Sequence, residues 1–101
     1  MIVYNVTISI DESVRQEWVE WMKNEHIPEV LATGMFLGAK MFYLLTNAQD
    51  DNGHNYTVQY TCESLERFRE YEEKYAPALG RKTEEKFGGK FYVFRSIMEE
   101  V

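Results

Sequence analysis

An α+β fold with the element order β-α-β-β-α-β is predicted by three observations on this 101-residue sequence. The opening stretch alternates between apolar and polar residues, apart from Val3, which is typical of a strand with one buried face. Two later stretches place apolar residues at helical spacing. The remaining apolar stretches are strand-like and are bounded by turn residues. The length suits a single domain, residues 1–101.

The first strand and the first helix occupy the first quarter of the chain. Residues 2–10 form the strand, and either Asp11 or Ser13 (with Gln16 as a capping box) is expected to cap the helix that follows. Pro28 has no N–H to donate and disfavours helical geometry at the residue before it. The helix is therefore predicted to end near His26. A short turn should follow, ended by Gly34.

The second half of the chain supplies three strands and one broken helix. Asn52-Gly53 is a hairpin signal that joins the second and third strands. Ser64 is expected to cap a helix with an apolar stripe that includes Leu65 and Phe68. Pro77 should interrupt that helix, and Gly88-Gly89 should end it. The three strands are predicted at residues 35–46, 55–62 and 90–98.

This order of elements is the ferredoxin-like arrangement, a four-stranded antiparallel sheet with helices on one face. Two right-handed crossovers place the first and third strands in the centre of the sheet and the second and fourth at its edges. Fold class and topology thus follow from the residues alone.

Composition and charge exclude several classes of protein. The net charge of -6 argues against a nucleic-acid partner, because phosphate binding needs a basic surface. No apolar stretch approaches the ~18 residues of a membrane span. Cys62 is the single cysteine, which fits a reducing compartment, and the chain opens on a strand rather than a signal peptide. A soluble, cytoplasmic protein is expected.

The chain resembles the dimeric α/β-barrel superfamily. The first half carries W18-x-x-W21-M22, H26-I27-P28 and G34-M35-F36; the second half adds F68-R69-E70-Y71, A76-P77 and F87-G88-G89-K90-F91. It is most similar to a small domain-of-unknown-function family within that superfamily. The H-x-P segment is also similar to small monooxygenase-like and pigment-pathway members.

The resemblance implies a homodimer in which two sheets pack face to face around a cavity. The superfamily includes cofactor-independent monooxygenases, isomerases, haem-handling enzymes and ligand-sensing domains, so the fold does not choose a function. Haem-degrading members use a histidine on the second helix. Residues 63–87 contain none, which counts against that subgroup.

The face of the sheet away from the helices also predicts association. Its centre would carry small polar residues, while both edge strands are apolar on both faces, as in Phe42/Tyr43 and Phe91/Tyr92. A partner sheet would cover this apolar rim and enclose a polar pocket. The alternative is an open sheet with a wet centre. The candidate ligand-binding residues of the pocket are Asn5, Thr7, Gln59 and Arg95.

His26 is the one candidate catalytic residue. Trp18, Trp21 and Met22 share an apolar helical stripe and are most simply core, whereas His26 lies at the edge of the stripe. The structural interpretation is an imidazole bonded to a carbonyl or placed favourably at a helix C-terminus. The functional interpretation is a proton donor or acceptor at the mouth of a cavity.

Other chemistry has weaker support in the sequence. Arg95, within an apolar strand, either holds an anionic ligand or faces solvent. Two histidines do not make a metal site, and no cofactor motif is present, so neither a metal nor a cofactor is expected. Three functions stay open: a small-molecule-binding homodimer that is possibly an enzyme, a non-catalytic module for a metabolite or a protein, and a solely structural dimer.

Overall fold

Four antiparallel strands form one sheet in the order β2-β3-β1-β4. The structure is a computed structural model that describes residues 1–46 and 53–101. The strands are β1 (Ile2–Asp11), β2 (Gly38–Tyr43), β3 (Gly53–Cys62) and β4 (Phe91–Glu99). The predicted positions of the first and third strands in the centre, and of the other two at the edges, are confirmed.

The register of the sheet decides which side chains share a face. On β1, Val6 lies opposite Val58 of β3 and opposite Arg95 of β4. Directly opposed residues of an antiparallel pair point to the same side. The helices cover the side of Val6, which we call the helix side. The other side, on which Thr7, Thr57 and Phe94 oppose one another, is called the open face.

The first helical stretch continues through Pro28, so the prediction that it ends near His26 was wrong. Helix α1 (Arg15–Trp21) passes into a π-helical segment, Met22–His26, and then into α2 (Ile27–Ala32). The Ile27 N–H bonds to the Met22 carbonyl, five residues back. This wider turn gives room to the ring of Pro28, and Ile27 keeps helical dihedral angles.

Burial supplies the reason that the helix continues. Val30, which would have lain in the predicted turn, is 1% exposed and packs in the core. Gly34, predicted to end a turn, instead follows the end of the helix, with a φ of +78° that favours glycine.

The helix caps match the sequence in part. Asp11 caps a 3-10 turn, Glu12–Val14, that leads into α1, since its carboxylate accepts from the Ser13 N–H over 3.0 Å. The Ser13–Gln16 capping box is not formed, and α1 itself begins without a side-chain cap. Ser64 caps α3 (Leu65–Lys74) by accepting from the Arg67 N–H over 3.2 Å. The break before Pro77 is confirmed, because α4 spans Ala76–Phe87.

Several strand boundaries and the burial of one residue differ from expectation, although β1 and β4 differ by only one residue at an end. Strand β2 is shorter than predicted and strand β3 begins two residues earlier. Asn52 of the predicted hairpin turn lies outside the described residues. Leu65, which was assigned to the apolar stripe of the second helix, is 46% exposed. The stripe is instead carried by Phe68 and Tyr71, both buried.

The hydrophobic core lies between the helix side of the sheet and the helices. Both tryptophans belong to it, as predicted, with Trp18 1% and Trp21 8% exposed. The Trp18 ring packs against Tyr56 of β3 with 5.1 Å between centroids. Within the part of the chain that the structure describes, no helix combines the length and the apolar character needed to cross a membrane.

Two glycines of the last helix give a matched test of the packing. An alanine Cβ at Gly88 would lie 2.5 Å from the Glu84 carbonyl oxygen, whereas at Gly80 it would meet nothing within 4 Å. We expect Gly88→Ala to destabilise the protein by about 1–3 kcal/mol. Gly80→Ala should stabilise it by about 0.5–1 kcal/mol, because alanine favours a helix interior. Urea denaturation measures both; equal midpoints for the two variants would contradict the described helix end.

Candidate functional site

A cavity of about 760 Å³ lies between the helix side of the sheet and the helices. It exists because α4 buries only Leu79 and Phe87 and leaves the inner side of β4 partly uncovered. Val6 forms part of the floor and is the one inward-facing residue of β1 that is not fully buried. We call this space the helix-side cavity. Its lining includes Tyr4, Val6, Trp18, Met22, His26, Tyr60, Tyr71, Val93 and Arg95.

His26 lines this cavity, one helical turn after Met22. Its ring stacks on Trp21 with 5.0 Å between centroids. Its Nδ1 is buried and has no hydrogen-bond partner among the described residues. Most buried polar atoms are paired, so an unpaired one marks a site that water, a ligand or a catalytic role would explain.

The charge state of His26 is set by burial. Burial lowers the pKa of His26 below its ordinary value; the Glu29 carboxylate acts in the opposite direction and the Lys82 ammonium in the same direction. Those two residues form an ion pair with a 2.6 Å contact. The imidazole is therefore neutral near pH 7. Neither predicted structural role is seen: the helix does not end at His26, and Nδ1 has no carbonyl partner.

Three tyrosines and Arg95 form the other polar part of the cavity. The Tyr4 ring lies 5.9 Å from Tyr60 and 6.1 Å from Tyr71, between centroids. Burial raises the pKa of all three phenols, and neighbouring phenols raise those of Tyr60 and Tyr71 further. The Arg95 guanidinium partly offsets the effect of burial on Tyr4 and Tyr71. The phenols are thus neutral hydrogen-bond donors.

The structure separates the residues that the sequence placed in one pocket. Arg95 faces the helix side and shares the cavity with His26. Asn5, Thr7 and Gln59 lie on the open face, where the Asn5 amide donates to Thr7 over 3.3 Å. The Thr7 and Thr57 hydroxyls are 3.2 Å apart. The cavity seen in the single chain is therefore on the opposite side of the sheet from these three residues.

The tyrosines of the cavity were missed as functional candidates. The alternating patterns of β1 and β3 place Tyr4 and Tyr60 on the inward faces of their strands, where the structure has them, and Tyr71 lies on the buried side of α3. One signal could have found them. Phenylalanine would fill a core equally well, so three tyrosines at inward positions indicate a need for hydroxyl groups.

A second polar cluster joins the ends of three elements away from the cavity. The His54 imidazole bonds to Glu12 on one side and to the Tyr43 hydroxyl, 2.9 Å away, on the other. The Arg15 Nε donates to the Tyr56 hydroxyl over 2.8 Å. All of these groups have partners, so we assign the cluster a structural role. The described residues contain no group of three or more His, Cys, Asp or Glu side chains that could hold a metal.

The family model for a domain of unknown function, DUF4286, matches residues 1–101. The chain belongs to this family. The DUF4286 fold is the expected ferredoxin-like one, as comparison with solved structures shows. No functionally curated protein matches the chain by sequence.

Three solved structures illustrate the breadth of proteins with the DUF4286 fold. A dimeric ferredoxin-like protein from an uncultured marine organism has a TM-score of 0.72 at 12% identity and covers 100% of this chain and 95% of its own. An ethyl tert-butyl ether d family protein from Bacillus halodurans has a TM-score of 0.68 at 16% sequence identity, and the match covers 100% of both chains. The hydroxynitrile lyase of Passiflora edulis has a TM-score of 0.66 at 14% sequence identity, and the match covers 99% of this chain and 95% of the lyase chain. These likenesses show the fold.

The lowered pKa of His26 predicts a pH dependence of stability. The unfolded chain takes up a proton near pH 6.5, a higher pH than the folded chain. Protonation of His26 therefore favours unfolding. The stability that its neutral form provides is complete above about pH 7.5 and is lost as the pH falls through 6.5 and below. We expect the free energy of unfolding, from urea titrations between about pH 7.5 and 5.5, to fall less steeply in His26→Gln than in the wild type.

The matched control for this experiment is His54→Gln, which removes the other histidine. A pH dependence that His26→Gln leaves unchanged would contradict the burial of a neutral imidazole at this position.

Proposed function

We propose that this DUF4286 protein binds a largely apolar organic molecule in the helix-side cavity and that His26 accepts a proton from it. The supporting observation is a half-buried imidazole in the wall of a cavity of about 760 Å³, whose buried Nδ1 has no hydrogen-bond partner among the described residues. That volume falls in the range of pockets for small molecules, which are mostly apolar with a few polar groups.

A base in such a place suits an enzyme that needs no tightly bound cofactor. Burial keeps the imidazole deprotonated near neutral pH, where a general base works best. Removal of a proton beside a carbonyl gives an enolate. Where the enolate is conjugated to a further double bond, return of the proton from the His26 imidazolium to the far carbon completes an isomerisation, whereas electron transfer from the enolate to dioxygen, the oxidant, begins a cofactor-independent oxygenation. The resemblance to isomerases and monooxygenases agrees with both outcomes.

The proposal includes a homodimer formed through the open face. Four large apolar side chains are exposed there: Phe42 (48%), Tyr92 (81%), Phe94 (69%) and Met98 (41%). They surround a polar centre that contains Asn5, Thr7 and Gln59. A structural neighbour with the same fold is a dimer. In such a dimer these three residues would line a second, polar space, where they would bind water or a polar ligand.

A second candidate function is a non-catalytic dimer that binds a metabolite or a protein. The same exposed aromatic side chains favour it, since they suit a protein partner as well as a second copy of the chain. The single cysteine and the acidic net charge favour a cytoplasmic protein without a nucleic-acid partner.

Binding of 1-naphthoate, a bicyclic aromatic probe, tests the proposed function. We expect saturable quenching of the fluorescence of Trp18, which lines the cavity, and saturable shifts of the His26 imidazole resonances. His26→Gln should weaken binding by about tenfold if the ring is a main contact. His54→Gln, outside the cavity, should leave binding unchanged. Loss of binding in both variants, or in neither, would argue against a role for His26.

A further inference from the structure

Arg95 occupies a place that the sheet would normally give to an apolar residue. Its opposed partner on β1 is Val6, so its side chain points to the helix side. The inward neighbours on its own strand, Val93 and Ile97, are apolar. The register thus places a guanidinium at the rim of an apolar cavity.

Within residues 1–46 and 53–101, no carboxylate lies within ion-pair distance of this guanidinium. Two glutamates also line the cavity, Glu72 and Glu84. Glu72 is paired with Arg69 on its own helix, with 3.1 Å between the charged atoms. The described ion pairs do not include Arg95. An arginine at the rim of a cavity is well suited to bind a carboxylate, because its planar fork matches both oxygens.

Two neutral phenols lie beside the guanidinium. Tyr4 is the inward residue next to Val6 on β1, and its ring packs against Tyr71 with 6.1 Å between centroids. Tyr4 is diagonal to Arg95 in the register of β1 with β4, and Tyr71 lines the same cavity. The positive charge of Arg95 opposes the rise in pKa that burial causes at both tyrosines. A phenol that stays protonated can donate to an anion but cannot repel it.

We infer that the ligand of the helix-side cavity is an organic acid with a largely apolar body, whose anionic group is bound by Arg95 with Tyr4 and Tyr71 as further donors. The apolar body of the ligand extends along Val6 and Met22 towards His26. This inference rests on the proposed function, because it names the substrate class of the same cavity. It also orients the ligand, with the acidic group at the β4 edge and the reacting carbon near the imidazole.

A pair of probes of equal shape tests the inference. 1-Naphthoate carries the anion, and 1-naphthamide replaces it with a neutral group of similar size. We expect titration calorimetry to show at least about tenfold tighter binding of naphthoate, as for a charge-assisted fork. Arg95→Met should remove this preference: the affinity for naphthoate should fall, while the affinity for naphthamide should stay within about twofold of the wild type. Tyr71→Phe should also lower the affinity for naphthoate, by a smaller factor than Arg95→Met.

The control variant is Arg67→Met, which removes an equal charge from an exposed site of α3 outside the cavity. It should keep the preference for naphthoate. Equal binding of the two probes to the wild type would overturn the inference and leave the proposed function standing. Binding of neither probe would overturn both. A preference that survives Arg95→Met would overturn the inference. A preference lost equally in Arg95→Met and Arg67→Met would show a general charge effect and would also overturn it.

Discussion

Replacing Trp18 by alanine is expected to cost about 3–5 kcal/mol of the free energy of unfolding. The indole is 1% exposed and packs on the Tyr56 ring at 5.1 Å. Its removal deletes a large buried aromatic surface and leaves a void beside a cavity that already exists. For a domain of this size, a loss of that order is a large share of the total stability, so partial unfolding at room temperature is expected.

Leu65→Ala is the control for this prediction. Leu65 is apolar but 46% exposed on α3, so its truncation should change the stability by no more than about 0.5 kcal/mol. Urea denaturation followed by far-UV circular dichroism compares the two variants. If Trp18→Ala were as stable as Leu65→Ala, the first helix would not pack on the sheet as described.

Replacing Phe94 by aspartate is expected to convert a dimer into a monomer. Phe94 is 69% exposed on the open face and lies opposite Thr7 in the register. In the proposed dimer, a charge without a partner buried in this apolar rim costs several kcal/mol. Light scattering at micromolar concentration should give about twice the 12.0 kDa chain mass for the wild type and a single chain mass for the variant.

The control for the dimer is Leu65→Asp, which places the same charge on an exposed apolar site of the helical layer. It should stay dimeric. A wild type that scatters as a monomer would remove the dimer and its second, polar space from the proposal, while the helix-side cavity within one chain would be unaffected.

The fold could be predicted because its signals are local. Alternation in β1 and β3 fixes both the strand type and the inward face, and Ser64 marks the start of a helix by its own hydrogen bond. The prediction that the helix ends before Pro28 was wrong, because packing in the core outweighs the local preference of the proline. The core needs Val30, and one π-helical turn lets the helix pass the proline ring.

The site could be predicted only in part, because an edge strand with apolar residues on both faces does not reveal its inward side. In β4, Phe91 and Val93 alternate with Tyr92 and Phe94, so sequence periodicity leaves the face of Arg95 undecided. The register with Val6 decides it. His26 could be found from its place at the edge of the apolar helical stripe. That it shares a cavity with three tyrosines could not be predicted, because this depends on contacts between distant segments of the chain.

Two adjacent residues of β1 allow the most direct test of the central proposal, that the ligand lies on the helix side of the sheet. Val6 forms part of the floor of the helix-side cavity, and Thr7 points to the open face. We predict that Val6→Phe fills the cavity and weakens 1-naphthoate binding, measured by calorimetry, by at least about tenfold, while Thr7→Phe leaves the affinity within about twofold. The reverse result, with binding lost in Thr7→Phe and kept in Val6→Phe, would contradict the proposal and place the ligand between the two open faces of a dimer.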